Sequence, residues 1–90
     1  MAQQQKKAIS GVVIDDTGLP VIGANIILKG GAGVGTVTDA DGKFTLDGIP
    51  DGATLLVSYI GYLDQTIQVT GDKSSFQITL HEDTQKLDEV

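Results

Sequence analysis

Residues able to act as nucleophiles, bases or metal ligands are few in this sequence. His81 is the only histidine, and the chain contains no cysteine. One histidine is too few for a two-histidine metal site, and no serine has an identifiable base with which to form a Ser-His-Asp arrangement. His81 is expected to be a solvated residue at the end of a strand, beside Glu82 and Asp83. The sequence therefore predicts a protein without a catalytic centre and without a cofactor.

Two carboxylates at a turn raise the question of calcium. The stretch 39–42 reads Asp-Ala-Asp-Gly, and calcium is bound by carboxylate oxygens. A complete calcium loop needs further oxygen ligands and a late bidentate glutamate, and neither follows here. The alternative is a hairpin turn in which Asp39 accepts hydrogen bonds from nearby backbone amides. We favour the hairpin, so Asp39 and Asp41 are only weak calcium candidates. For Asp15 and Asp16 the same two roles, turn formation and calcium binding, are the alternatives.

Binding to nucleotides, nucleic acids or a membrane is disfavoured. The glycine-rich stretch 30–35 could suggest a phosphate-binding loop, but such a loop needs a helix after it, and a strand is predicted here. The 90 residues include 12 acidic residues against 6 basic ones, all of them lysine, for a net charge of -6. Because phosphate recognition relies on positive charge and the arginine fork, nucleic acids are poor partners. No apolar run of about 18 residues is present, so direct membrane insertion is not expected.

Glycines and prolines divide the chain into short runs of β-branched and aliphatic residues, which is typical of a protein made of many short strands. Side chains two residues apart share a face of a strand, so the apolar phase, including Ile26, Phe44, Phe76 and Ile78, is predicted to form the core. The pattern favours an all-β fold, a seven-stranded antiparallel β-sandwich. The strands are predicted at about residues 8–15, 24–29, 35–38, 43–46, 54–59, 64–70 and 75–81.

Glycine, proline and tyrosine residues at the strand ends have local explanations. Gly18 and Pro20 end one strand, because proline lacks the donor that a β-ladder needs. Gly61 lies between Tyr59 and Tyr62 and suggests a bulge or a tight bend. The two tyrosines are expected to wedge the edge of the sheet, with ligand stacking as the alternative.

Five motifs occur in a fixed order along the chain. The segment 9–25 has the pattern G-x-V-x-D-x-x-G-x-P-x-x-G-A, and further motifs follow at 29–30, 35–44, 50–53 and 58–62. Together they resemble carboxypeptidase-regulatory-like domains over most of residues 9–80. The resemblance implies a transthyretin-like, or prealbumin-like, β-sandwich. The residues that carry the motifs are Gly11, Asp15, Gly18, Pro20, Gly23, Asp41, Gly42, Phe44, Tyr59, Gly61 and Tyr62.

The motif at 58–62, combined with Leu-Asp-Glu-Val at 87–90, is similar to one branch of that family. The branch is the N-terminal extension of SusC-like TonB-dependent transporters of Bacteroidota. The resemblance implies a domain at the periplasmic face of a Gram-negative outer membrane, ahead of a plug and a barrel that import a nutrient, here expected to be a glycan. Residues 1–7 are then a disordered mature N-terminus or added residues, 8–81 the domain, and 82–90 a linker toward a TonB box.

The expected function is a non-catalytic accessory domain that acts through protein–protein interaction. Its expected partners are the rest of the parent importer and a periplasmic or inner-membrane energy-transduction protein. One alternative is a carbohydrate-binding module, for which Tyr59 and Tyr62 would be the only stacking platform. Another is an accessory domain of a carboxypeptidase-like peptidase.

Overall fold

The computed structural model describes residues 6–31 and 33–84. The expectations for residues 1–5, for Ala32 in the glycine-rich stretch and for the linker from 85 to 90 lie outside the described residues. Among the described residues no helix is long and apolar enough to cross a membrane. The strands are β1 (Lys6–Asp15), β2 (Asn25–Leu28), β3 (Gly35–Val37), β4 (Lys43–Pro50), β5 (Ala53–Ser58), β6 (Gln65–Val69) and β7 (Ser75–Leu80).

The strands form two sheets, which confirms the predicted all-β sandwich. One sheet has the order β4-β1-β7 and the other β3-β2-β5-β6. The prediction of purely antiparallel pairing is corrected at one place, because β1 and β7 pair in parallel from Ser10↔Ser75 to Asp15↔Leu80. Antiparallel pairing is enforced by short hairpins, whereas parallel strands need a long connection. β1 and β7 are the first and last strands, so no hairpin sets their relative direction.

The core lies between the two sheets and follows the predicted apolar phase. Ile26, Phe44, Phe76 and Ile78 are all buried, so this prediction is confirmed. Gly11 pairs with Phe44 on one side and with Phe76 on the other. A Cβ atom at Gly11 would lie 2.6 Å from the Phe44 ring and 2.8 Å from the Phe76 carbonyl oxygen. Glycine at this position therefore makes room for the aromatic ring in the core.

Two strand boundaries differ from the predictions at the pairing of β1 with β4. β1 begins at Lys6, so Lys6 and Lys7 belong to the strand and not to an N-terminal tail. β4 continues to Pro50 instead of ending at residue 46. The register between the two strands shifts between Lys7 and Ile9. Gly48, with φ of +70° in β4, reads as a turn signal in the sequence, but here a residue with positive φ lies within the strand.

Candidate functional site: the tyrosine end of the sandwich

Most of the motif residues gather at one end of the sandwich. β1, β3, β5 and β7 run toward this end, which we call the tyrosine end; it consists of residues 15–24, 38–43, 59–64 and 81–83. The opposite end holds the start of β1 and the described residues of three connections, 29–31 with 33–34, 50–52 and 70–74. Gly11 and Phe44 lie in the core between the two ends. The motif residues at the tyrosine end are Asp15, Gly18, Pro20, Gly23, Asp41, Gly42, Tyr59, Gly61 and Tyr62.

The first turn, residues 15–19, is organised by the carboxylate of Asp15. Its Oδ1 accepts hydrogen bonds from the Thr17 amide at 2.9 Å, the Thr17 hydroxyl at 2.6 Å and the Leu19 amide at 3.0 Å. Gly18 donates its amide to the Asp15 carbonyl at 2.9 Å and has a φ of +88°. The Thr17 hydroxyl, followed by the Leu19 amide, lowers the pKa of Asp15 below its ordinary value.

The second turn, residues 39–43, repeats this arrangement. Asp39 Oδ1 accepts hydrogen bonds from the amides of Asp41 and Lys43, both at 2.9 Å. Gly42 donates its amide to the Asp39 carbonyl at 2.9 Å and has a φ of +74°. The Lys43 amide, followed by the Asp41 amide, lowers the pKa of Asp39. Among the described residues, no group of three or more His, Cys, Asp or Glu side chains could hold a metal ion, so the calcium candidates Asp39 and Asp41 stay an untested prediction.

The second turn packs against the chain that follows the first one. A Cβ atom at Gly42 would lie 2.6 Å from the Val13 carbonyl oxygen and 2.9 Å from Pro20 Cβ. The Gly42 carbonyl accepts a hydrogen bond from the Val13 amide at 2.7 Å. Pro20 also forms an isolated antiparallel bridge with Ile14. The glycine of one motif and the proline of another are therefore in direct contact.

Thr38 is a structural residue that the sequence analysis missed. Its hydroxyl donates to the Val21 carbonyl at 2.6 Å and accepts from the Ala24 amide at 2.9 Å. Thr38 is 3% exposed and is the only buried polar residue in the described part of the chain, whereas its neighbour Val37 is 55% exposed. A threonine inside and a valine outside invert the usual pattern. The inversion is explained by the distant segment 21–24, because the Thr38 hydroxyl is the hydrogen-bond partner of the Val21 carbonyl and the Ala24 amide.

The two tyrosines pack against the core and against each other. Their ring centroids are 5.8 Å apart and the ring planes are tilted by 44°. Both are partly buried against the core cluster, and the turn between them closes with the Tyr62 amide bonded to the Tyr59 carbonyl at 3.0 Å, with Gly61 at a φ of +88°. The rings therefore do not form a flat, fully exposed stacking platform.

Tyr62 connects the first turn to the segment after β7. Tyr62 lines a cleft together with residues 15–17 and Glu82, and its backbone forms an antiparallel bridge with Glu82. Partial burial, followed by the negative charges of Asp15 and Glu82, raises the pKa of Tyr62 above its ordinary value. The first turn, the tyrosine turn and the chain after β7 thus form one connected surface.

His81 has a defined contact at this surface. Its Nδ1 lies 2.6 Å from Asp16 Oδ1, and both side chains are about half exposed, at 58% and 51%. The expectation of a merely solvated histidine is therefore incomplete, because it leaves out the contact with Asp16, which lies on a distant segment of the chain.

Charge is distributed unevenly between the two ends. Among the described residues, the tyrosine end carries seven carboxylates and one lysine, which are Asp15, Asp16, Asp39, Asp41, Asp64, Glu82, Asp83 and Lys43. The half of the domain toward the opposite end carries four lysines and three carboxylates, which are Lys6, Lys7, Lys29, Lys73, Asp47, Asp51 and Asp72. Among the described residues, the tyrosine end is therefore strongly negative, whereas the other half has one more lysine than carboxylates.

Comparison with known proteins gives matches along nearly the whole chain. The sequence profile of the CarboxypepD_reg-like domain matches residues 9–90. The chain is 43% identical over 86 residues to the TonB-dependent receptor SusC of Bacteroides thetaiotaomicron, covering 96% of this chain and 8% of the receptor. It is 38% identical over 82 residues to the TonB-dependent receptor P39 of Formosa agariphila, covering 91% of this chain and 8% of that receptor. The chain thus spans a small part of the length of these relatives.

Solved structures share the fold at low sequence identity. A 3-chlorocatechol 1,2-dioxygenase from Rhodococcus opacus superposes with a TM-score of 0.68 at 14% identity, covering 89% of this chain and 61% of the enzyme. A streptococcal ancillary pilin gives a TM-score of 0.64 at 16% identity, covering 91% of this chain and 31% of the pilin. Identities this low show the sandwich fold alone.

Proposed function

Because the chain belongs to the CarboxypepD_reg-like domain family, we propose that it is a non-catalytic accessory domain of a TonB-dependent outer-membrane receptor. The observation that carries the proposal is the 43% identity to a TonB-dependent receptor over 96% of this chain. In the proposed arrangement the domain precedes the plug and barrel of its parent and lies on the periplasmic face of the outer membrane. The predicted linker start at residue 82 is corrected, because Glu82 forms a bridge with Tyr62 and the Asp83 amide donates to the Gly61 carbonyl. In the proposed arrangement the linker toward the TonB box begins after Asp83.

The use of the polar side chains supports a role in binding over one in chemistry. The Oδ1 atoms of Asp15 and Asp39 hold backbone amides in two turns, and Thr38 binds backbone groups inside the protein. These side chains build a shape that can be recognised. An accessory domain needs such a surface and does not need a nucleophile with its base.

We extend the proposal to a glycan importer that works with an inner-membrane energy-transduction protein. Two observations support this extension: the motif 58–62 is similar to that of SusC-like importers, and the chain is 43% identical to the receptor SusC over 86 residues. The domain would support or tune uptake through its contacts and would not carry the glycan itself.

The test compares uptake by cells that carry the full receptor, the receptor without residues 9–80, and the receptor without its TonB box. We expect the domain deletion to reduce or retune uptake and the TonB-box deletion to abolish it. The amount of receptor in the outer membrane, measured by immunoblot, is the control. Unchanged uptake and growth on all relevant nutrients would contradict the proposal, as would a zinc peptidase encoded directly after the domain.

A binding assay separates the proposal from a carbohydrate-binding module. Calorimetric titration of the isolated domain with the glycans that the parent receptor imports should show no saturable binding. Saturable binding that is lost in Tyr62→Ala and kept in Phe76→Leu would assign a glycan-binding role to the tyrosine end instead.

A further inference from the structure

Exposed apolar side chains are concentrated at the tyrosine end. Two of the exposed large apolar residues in the described chain, Ile27 and Val37, lie on strands β2 and β3. The others lie on two neighbouring segments of the tyrosine end, and exposed apolar groups rimmed by polar ones mark interaction sites. They are Leu19, Ile22, Ile60 and Leu63, with 62%, 57%, 87% and 49% of their surfaces exposed.

The two segments that carry these side chains are held together by the structure. Tyr62 lines a cleft with the first turn and with Glu82. The chain after the first turn is fastened by Thr38 through Val21 and Ala24 and packs through Pro20 against the second turn. A surface that is preformed in this way loses little conformational freedom when a partner binds.

The charge around these side chains indicates the charge of the partner surface that would bind here. The tyrosine end carries seven carboxylates against one lysine among its described residues. A partner with apolar residues surrounded by lysine and arginine complements this surface, and opposite charges also speed the encounter. A partner with an acidic surface would be repelled.

The path of the chain indicates which partner is nearest to this surface. After β7 the chain is tied to the tyrosine turn, since the Asp83 amide donates to the Gly61 carbonyl at 3.0 Å and Glu82 bridges Tyr62. The chain therefore leaves the sandwich beside Ile60. A domain attached here by a short linker reaches the surface at an effective concentration of about millimolar, without any separate encounter.

We infer that the tyrosine end is the docking surface for the next domain of the parent receptor, the plug, and that the plug presents a basic surface with apolar residues to it. This inference rests on the proposed function, because that proposal supplies the plug. Ile60 and Leu63 insert between apolar side chains of the plug, and Asp16 and Glu82 face its lysines or arginines.

Photo-crosslinking in the full receptor tests the docking directly. A photoreactive p-benzoylphenylalanine replaces Ile60 in one variant and Asp72, exposed at the opposite end, in a matched control. We expect position 60 to crosslink to a basic segment of the plug with a yield about tenfold above that of position 72, as for a docked surface compared with a free one. No crosslink from position 60, or a crosslink only to a separate protein, would overturn the inference.

Charge reversal provides the second arm of the test, with the crosslinker kept at position 60. Glu82→Lys should lower the yield by about tenfold, since like charges then face each other, whereas Asp47→Lys on β4 should leave the yield unchanged. Equal effects of the two variants would overturn the inference. Uptake by the receptor lacking residues 9–80 distinguishes the two proposals: a failed crosslink with altered uptake rejects only the docking surface, and a positive crosslink with unchanged uptake rejects only the accessory role.

Discussion

The two turns 15–19 and 39–43 are built alike and surrounded differently. In each, an aspartate Oδ1 accepts the amides of the second and fourth residues after it, and a glycine with positive φ donates to the aspartate carbonyl. Gly18 of the first turn has open space where a Cβ would lie, whereas the same atom at Gly42 would meet Val13 and Pro20. The same local motif thus serves as an exposed surface feature in one place and as a packed support in the other.

This difference separates the stability that comes from the local motif from the stability that comes from its surroundings. The hydrogen bonds within both turns come from residues at most four apart in sequence, so their contribution should be similar. The packing of Gly42 against Pro20 joins segments more than twenty residues apart, so its contribution exists only in the folded sandwich. Substitutions that act on one or the other contribution can distinguish them.

The largest effect is expected from substituting the two glycines. Alanine at either position must adopt a positive φ, which costs about 1–2 kcal/mol of stability. Gly42→Ala also forces a methyl group against the Val13 carbonyl and Pro20, which adds about 1–3 kcal/mol for overpacking. Urea unfolding should therefore show a clearly larger loss for Gly42→Ala than for Gly18→Ala. Equal losses would mean that the contact with Pro20 contributes nothing.

A smaller effect is expected at Thr38, which links the segment after the first turn to the start of the second. Thr38→Val keeps the shape but leaves the Val21 carbonyl and the Ala24 amide without their partner. We expect a loss of about 1–3 kcal/mol in the free energy of unfolding. Thr36→Val on the same strand, where the threonine is only partly buried, is the matched control and should change stability by less than about 0.5 kcal/mol. A loss no larger than that of the control would contradict the bridging role of Thr38.

Substitution of the two aspartates should destabilise the protein equally, in contrast to substitution of the two glycines. Asp15→Ala and Asp39→Ala each remove the acceptor of two backbone amides, so both should lower the melting temperature by similar amounts, and by less than Gly42→Ala does. Asn at either position keeps a side-chain oxygen and should restore part of the loss. A decrease in melting temperature several times larger for Asp39→Ala than for Asp15→Ala would show that the stabilisation from the carboxylate also depends on its surroundings.

The smallest effect is expected in the dependence of stability on pH. The pKa values of Asp15 and Asp39 are lowered in the folded protein from 3.8, so the unfolded chain binds more protons in this range. The stability that the two carboxylates contribute is therefore fully present above about pH 4, and it is lost as the pH falls through their lower pKa values in the folded protein. The Asp15→Asn/Asp39→Asn double variant should lose less stability between pH 4 and pH 2 than the natural chain. Parallel pH profiles for the two proteins would contradict the lowered pKa values.

Much of the fold follows from short-range patterns in the sequence. The apolar phase of each strand placed Ile26, Phe44 and Phe76 in the core, where the structure has them, because a one-residue slip would expose a whole buried face. Glycines and prolines also marked most strand ends. The error at β4 arose because Gly48 lies within a strand, where the same residue type usually signals a turn.

The sequence by itself determined the number and approximate positions of the strands, which face of most strands is buried, and that the motif positions resemble one family. These properties depend on neighbours along the chain. Only the tertiary structure decided that β7 runs parallel to β1, that Thr38 is buried, and that His81 meets Asp16. It also decided that the carboxylates and exposed apolar side chains share one end. These properties depend on which distant segments come together, and that choice is made by burial and by backbone hydrogen bonds across the whole sandwich.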